Sequence, residues 1–215
     1  MPGIRRKPSE SLTKSTTNGA PSGFWTCLAQ IGNPLVYKNF MIHLFVMIPA
    51  AVVMSLFGRE IDRVVRLEPF LSAPWTWIAA VCLFGLGGLI VVYTYGYLTI
   101  LGRGSPGTHV DGGPRDLVVT GPYTAVRHPS VLGKLSGVVG LGFLTGSTVF
   151  TFIIIPLLLV YSLITNRYLQ ERGCEEKFGD DYARYRAAVP MLVPRPAGIR
   201  RFLTGAPAIE LRGER

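Results

Sequence analysis

Residues 131–164 read VLGKLSGVVGLGFL-TGST-VFTFIIIPLLLVYSLI. Two apolar runs, 131–144 and 149–164, flank the small polar group Thr145-Gly-Ser-Thr148. Either run alone is marginal for a hydrocarbon layer ~30 Å thick, which asks for about 20 residues of helix. Joined around a Gly-Ser turn, they predict a tight helical hairpin through the membrane. A hairpin returns the chain to the face it left, so the residues before Val131 and after Ile164 are expected to meet there. This reading makes the fold all-α: a polytopic membrane helical bundle of about four to five transmembrane helices, this hairpin being the C-terminal pair.

Immediately upstream lies Gly121-Pro-Tyr-Thr-Ala-Val-Arg-His-Pro-Ser-Val-Leu-Gly133. Pro129 suits the first position of a helix, because its missing N–H would be unpaired there in any case, and His128 then stands just outside it. Downstream, Phe178, Tyr182, Tyr185 and Val189 recur at i, i+4, i+7 and i+11, one face of a helix. Aromatics at that spacing are read as packing. Gly179 interrupts the pattern, and Asp180 suits the N-cap of the helix that follows.

Further upstream, residues 77–101 form an apolar span flanked by Trp75. Gly85, Gly87 and Gly88 sit inside it rather than at a strand-to-helix turn, so they indicate close helix packing and not a dinucleotide fingerprint. Residues 40–57 form an earlier span, kinked at Pro49. The charges that follow it, Arg59, Glu60, Asp62, Arg63, Arg66 and Glu68, read as a solvated connection. Residues 1–23 are polar and basic and are expected to be a disordered tail. They show no signal-peptide pattern.

Composition agrees with a membrane protein. Of 215 residues, 48% are hydrophobic and 16% charged, whereas soluble domains carry about 25% charged residues. The net charge of +9 comes without a dense basic stripe interleaved with aromatics, which excludes nucleic acid as the expected partner and favours a lipid surface. Cys27, Cys82 and Cys174 are widely spaced and odd in number, so neither a disulfide framework nor a metal site is expected. Of the 22 Lys and Arg, only Arg59, Arg63 and Arg66 fall between the first two spans. With four spans the others share one face, and the positive-inside rule makes that face, with both termini and the 121–133 stretch, cytoplasmic. The chain divides into a basic tail (1–23), N-terminal membrane helices (24–101), a core of motif loop, hairpin and amphipathic C-terminal helix (102–196), and a second basic tail (197–215).

Several separated motifs occur in order: Leu117-Val-x-x-Gly-x-Tyr-x-x-x-Arg-His-Pro-x-x-x-Gly133, then Gln170-Glu171, then Phe178-Gly-x-x-Tyr-x-x-Tyr185, then Val189-Pro-x-x-x-Pro-Arg195. Together they resemble the isoprenylcysteine carboxyl methyltransferases and the related phospholipid methyltransferases, over residues 100–196. The resemblance implies an integral membrane enzyme that uses S-adenosyl-L-methionine, bound above the helices under the C-terminal segment, to methylate a lipophilic or small carboxylate, thiol or amine acceptor. Carried over position by position, Leu117, Val118, Tyr123, Arg127, His128, Pro129, Ser130, Gln170 and Glu171 would bind the cofactor. Arg127 or Arg167 would hold an anionic acceptor, a planar guanidinium being suited to a carboxylate. No catalytic base is assigned, because an ionised acceptor needs positioning and desolvation rather than proton removal. Two positions depart from the usual pattern: Val131 stands where many relatives have Tyr, and Gln170 where many have Glu. The competing readings are a sterol-type membrane reductase using NADPH and a non-catalytic transporter or partner-binding subunit.

Overall fold

A computed structural model describes residues 24–29, 32, 34, 41, 43–103 and 114–211. The expected tail 1–23, the start of the first apolar run at Phe40, the Gly/Pro-rich residues 104–113 and the terminal residues 212–215 lie outside that range. The described elements are all helical: α1 (Phe24–Ala29), α2 (Ile48–Val65), α3 (Trp75–Leu101), α4 (Pro129–Thr145), α5 (Ile155–Thr165), α6 (Glu171–Ala188) and α7 (Pro196–Thr204). Wider π-helical turns at His43–Met47, Phe150–Ile154 and Asn166–Gln170 lead into α2, α5 and α6, and a 3-10 turn at Gly121–Thr124 precedes the motif residues.

Two helices, Trp75–Leu101 and Phe150–Ala188, are long and apolar enough to cross a membrane, and α4 is a shorter apolar helix. Their large side chains point outward: Trp77, Val81, Leu86 and Leu89 on one, Phe152, Leu157, Val160 and Ile164 on the other are exposed. A soluble protein would bury such surfaces; here they form the face that lipid covers. The chain is therefore a membrane protein.

The hairpin forms as its sequence predicts. Pro129 opens α4 with His128 just before it, and Gly146, left-handed at φ 66°, closes it. The return limb then runs on as helix to Phe178, is interrupted at the non-helical Gly179 (φ 56°, ψ −129°) as its sequence predicts, and resumes as helix to Ala188. The hairpin limb and the amphipathic segment, expected as separate pieces, are thus joined, and their junction is the π turn Asn166–Gln170.

α3 packs against α4 along a seam of small residues. A methyl group on Gly87 would come within 2.5 Å of the Gly133 carbonyl oxygen, so only glycine permits this approach. Ser136 Oγ donates to the Leu83 carbonyl across the same seam. Gly85 and Gly88, by contrast, face open space, so only one glycine of that cluster serves the close packing expected of all three.

The charged stretch after the first span is not a plain solvated connection. α2 carries it as far as Val65, and Asp62 turns inward to become buried. Its two carboxyl oxygens accept from the backbone N–H groups of Thr148 and Val149, at 3.0 and 2.9 Å. Ser147 Oγ accepts from Phe150 N–H at 3.1 Å. Together they satisfy donors that the start of a helix leaves unpaired. Ser55 Oγ, also buried, meets Thr145 Oγ1 at 2.8 Å, so α2 is pinned to the hairpin's closed end by polar contacts.

Candidate ligand site at the open end of the hairpin

At the opposite end, the sequence before α4 and the sequence after α5 meet. The meeting point is Glu171, the first residue of α6, whose side chain is 1% exposed. Arg127 Nη2 lies 3.2 Å and His128 Nε2 3.4 Å from its Oε1, while Arg167 Nη1 donates to Oε2 at 2.9 Å. Two of these partners come from the motif loop, and the third lies one turn earlier on the same helix. Burial by itself pushes the Glu171 carboxyl upward. The hydrogen bond to His128, the Arg127 charge and the Arg167 hydrogen bond outweigh it and hold the group below its usual range.

Arg127 is the unusual member. Its side chain is 8% exposed, yet Nε and Nη1 are buried and meet no hydrogen-bond partner among the described residues. A buried guanidinium with two idle donors is costly, and native structures keep such groups rarely. Its surplus donors suit an anionic group, each of Nε and Nη1 offering a separate charge-assisted hydrogen bond on its own edge of the guanidinium.

The loop that presents Arg127 and His128 is fixed from two sides. Below, Gly121 adopts φ 58°, and a Cβ there would strike the Tyr97 ring at 2.4 Å; Tyr97 Oη donates to Thr120 Oγ1 at 3.0 Å. Above, the C-terminal segment lies across the loop. Arg127 N–H donates to the Pro190 carbonyl at 2.9 Å and His128 N–H to that of Met191 at 3.2 Å. Tyr185 Oη donates to the Tyr123 carbonyl at 2.8 Å. Ala208 N–H donates to the Val119 carbonyl at 2.8 Å. Residues 197–211, expected as a basic tail, thus include most of helix α7 and a segment that joins the core through Ala208, Ile209 and Leu211.

The structure brings Arg127, His128, Arg167 and Glu171 into one cluster. Pro129 and Ser130 open α4 beside it, and Gln170 ends the π turn next to Glu171. Leu117, Val118 and Tyr123 stand a layer behind. Val118 is buried with Cys27 and Tyr97, Leu117 packs on the Val119–Tyr182–Tyr185 cluster, and Tyr123 touches both groups. Val131 is half-buried in the first turn of α4. Cys174 lies one turn beyond Glu171; burial first, then the Glu171 charge, pushes its thiol up to about 11, so it stays protonated and unreactive at neutral pH. All three cysteines are free. Among the described residues, no three His, Cys, Asp or Glu side chains gather as a metal would require. The residues that sequence reasoning missed are Pro190 and Met191, whose carbonyls position the loop. Their signal was the proline-bracketed 189–195 segment.

Residues 75–180 match the family described as "Phospholipid methyltransferase". The chain is also 34% identical, over 84 residues, to a Protein-S-isoprenylcysteine O-methyltransferase of Schizosaccharomyces pombe; the match covers 36% of this chain and 33% of that protein. The chain therefore spans about a third of the length of the curated relative it matches. No solved structure matches it. The matched region contains α3, the motif loop, the hairpin and Glu171, and both descriptions name a methyltransferase rather than a reductase or a transporter.

Proposed function

We propose that this chain, a member of the phospholipid methyltransferase family through residues 75–180, is an integral membrane methyltransferase dependent on S-adenosyl-L-methionine. The observation that carries this reading is the pairing of a buried Glu171 with a buried, only partly satisfied Arg127. An amino acid's ammonium and carboxylate call for an acceptor and a donor side by side, and this cluster offers both. The cofactor, when bound, supplies an electrophilic methyl group on a sulfonium.

Within this reading, Glu171 accepts from the ammonium, and one idle edge of Arg127, at Nε or Nη1, donates to the carboxylate. His128 and the backbone N–H of Ser130 in the first turn of α4 add donors at the same place. Arg167, half-exposed at the rim, is the group left to engage an anionic acceptor. The strap at Pro190 and Met191 keeps the loop rigid and limits water, so the chain's contribution is positioning and desolvation. The acceptor is lipophilic or small, entering from the bilayer beside α3 and α5. Counted with four spans, the Lys and Arg distribution favours a cytoplasmic side for the site and both termini.

The test is calorimetric titration of the purified full chain in detergent with S-adenosylhomocysteine and, separately, NADPH. Saturable heat with the first and none with the second is expected. A cooperatively unfolding protein that gives no heat with S-adenosylhomocysteine overturns the proposal.

A further inference from the structure

α7 is a nine-residue helix with two unlike sides. Gly198, Ile199, Phe202 and Leu203 follow one another around one side, and Arg200 and Arg201 occupy the other. Gly198 is pressed onto the motif loop, where an added Cβ would lie 2.7 Å from the Thr124 carbonyl oxygen and 3.0 Å from Ala125 Cα. Beyond that contact the apolar side is open: Leu203 is 76% exposed, and Ile199, Phe202 and neighbouring Val193 are exposed as well.

The height of α7 on the bundle says what covers this open face. The Phe202 ring meets Tyr93 on α3 edge-on, with centroids 6.5 Å apart. Tyr93 lies eight residues before the end of α3, roughly 12 Å down a helix that rises 1.5 Å per residue. Three residues further along α3, α1 rests on Gly96 through Cys27 and carries the exposed Trp25. Aromatic side chains gathered toward one end of a membrane-crossing helix mark the headgroup boundary. Charge points the same way. From Ala187 to Ile209 the chain has no Asp or Glu but carries Arg195, Arg200 and Arg201, the complement of anionic headgroups.

We propose that α7 is an interfacial helix, seated in the plane of an anionic phospholipid surface with Leu203 and Ile199 in the acyl boundary and Arg200 and Arg201 at the headgroups. Because α7 clasps Thr124 and Ala125, and the Pro190–Met191 strap precedes it, lipid seating ties the loop bearing Arg127 and His128 to the membrane surface. This holds whatever ligand the site takes.

The test measures depth. In the full chain, Cys82→Ala and Cys174→Ala leave only the buried Cys27, and Leu203→Cys then accepts a spin label. The labelled protein is placed in nanodiscs of phosphatidylcholine alone or with one quarter phosphatidylglycerol. Accessibility to oxygen and to a water-soluble nickel chelate is read against Arg172→Cys on the exposed side of α6. The Leu203 label is expected ~5–10 Å below the phosphates, shielded from nickel at least fivefold relative to position 172. It is expected deeper with phosphatidylglycerol than without, a difference removed by Arg200→Gln with Arg201→Gln. Nickel access equal to that at position 172 overturns the proposal and leaves the face free for a protein. Equal depth in both lipids overturns the anionic requirement.

Discussion

Two buried carboxyl groups, Asp62 and Glu171, sit at opposite ends of the hairpin's return limb, separated by about 34 Å of α-helical rise between Thr148 and Glu171. Asp62 is answered by two backbone N–H groups and, among the described residues, by no cation. Glu171 is answered by three side chains, two of them arginines, and one of those arginines retains two unpaired buried donors. A carboxyl group that terminates a helix finds its partners among backbone groups that folding itself immobilises, and the arrangement is complete. A carboxyl group in a ligand site keeps partners that can be redirected, and the arrangement is left unfinished. The difference separates a structural pin from a binding group more clearly than burial does, since both are inside.

The sharpest way to break the comparison is Glu171→Ala. It leaves Arg127 buried without its counter-charge, and breaking a buried pair in this way costs about 3–5 kcal/mol. Thermal unfolding in detergent and S-adenosylhomocysteine titration should both respond, with affinity falling at least tenfold, or about 1.4 kcal/mol. Next comes Asp62→Ala, which strands two backbone donors at the closed end for about 3 kcal/mol in all. Here the expectation is a lower melting temperature with ligand affinity in the folded fraction within twofold of wild type. A tenfold loss of affinity would mean that the two ends are not independent.

Arg127→Met tests the incompleteness itself. Arg127→Met takes one cation from the buried Glu171 but leaves it His128 and Arg167, so stability should fall by clearly less than in Glu171→Ala, where Arg127 loses its counter-charge altogether. The same variant should lose ligand affinity tenfold or more. A large loss of stability would show that Arg127 is already satisfied without a ligand. The smallest effect concerns acid. Glu171 is held below its ordinary value of 4.5, so its contribution is fully present above that pH and fades as pH falls through the lowered folded value. The melting-temperature gap between wild type and Glu171→Gln should therefore stay constant from pH 7 to about pH 5 and narrow only below about 4.5. A gap that closes near pH 6 would contradict the depressed carboxyl.

Much of this contrast was hidden in the amino-acid order. The hairpin was legible, because two apolar runs around Thr145-Gly-Ser-Thr148 admit few other arrangements. The approach of Gln170-Glu171 to Arg127-His128 followed from that hairpin together with the family resemblance. Asp62 was not legible: among Arg59, Glu60, Arg63 and Arg66 it has the spacing of a solvated helix face, and only a turn some 86 residues later makes it different. Nor could composition tell Gly87 from Gly85 and Gly88, since facing a neighbour and facing lipid leave the same mark on an all-apolar helix. Ala208 and Ile209 lie in a short Pro- and Gly-bracketed stretch with no periodicity to reveal them as core.

The π turn Asn166–Gln170 has a consequence for how this chain tolerates insertion and deletion. Such a turn is an ordinary helix that has taken in one extra residue, and one residue is worth ~100° of rotation. The outward face of α5 and the inward face of Glu171 are therefore set out of register by a single inserted position. Removing one residue between Asn166 and Gln170 would leave the membrane span and its length almost unchanged while swinging the carboxyl about a quarter turn away from the loop. The angular phase of the segment that starts at Glu171 rests on that one residue.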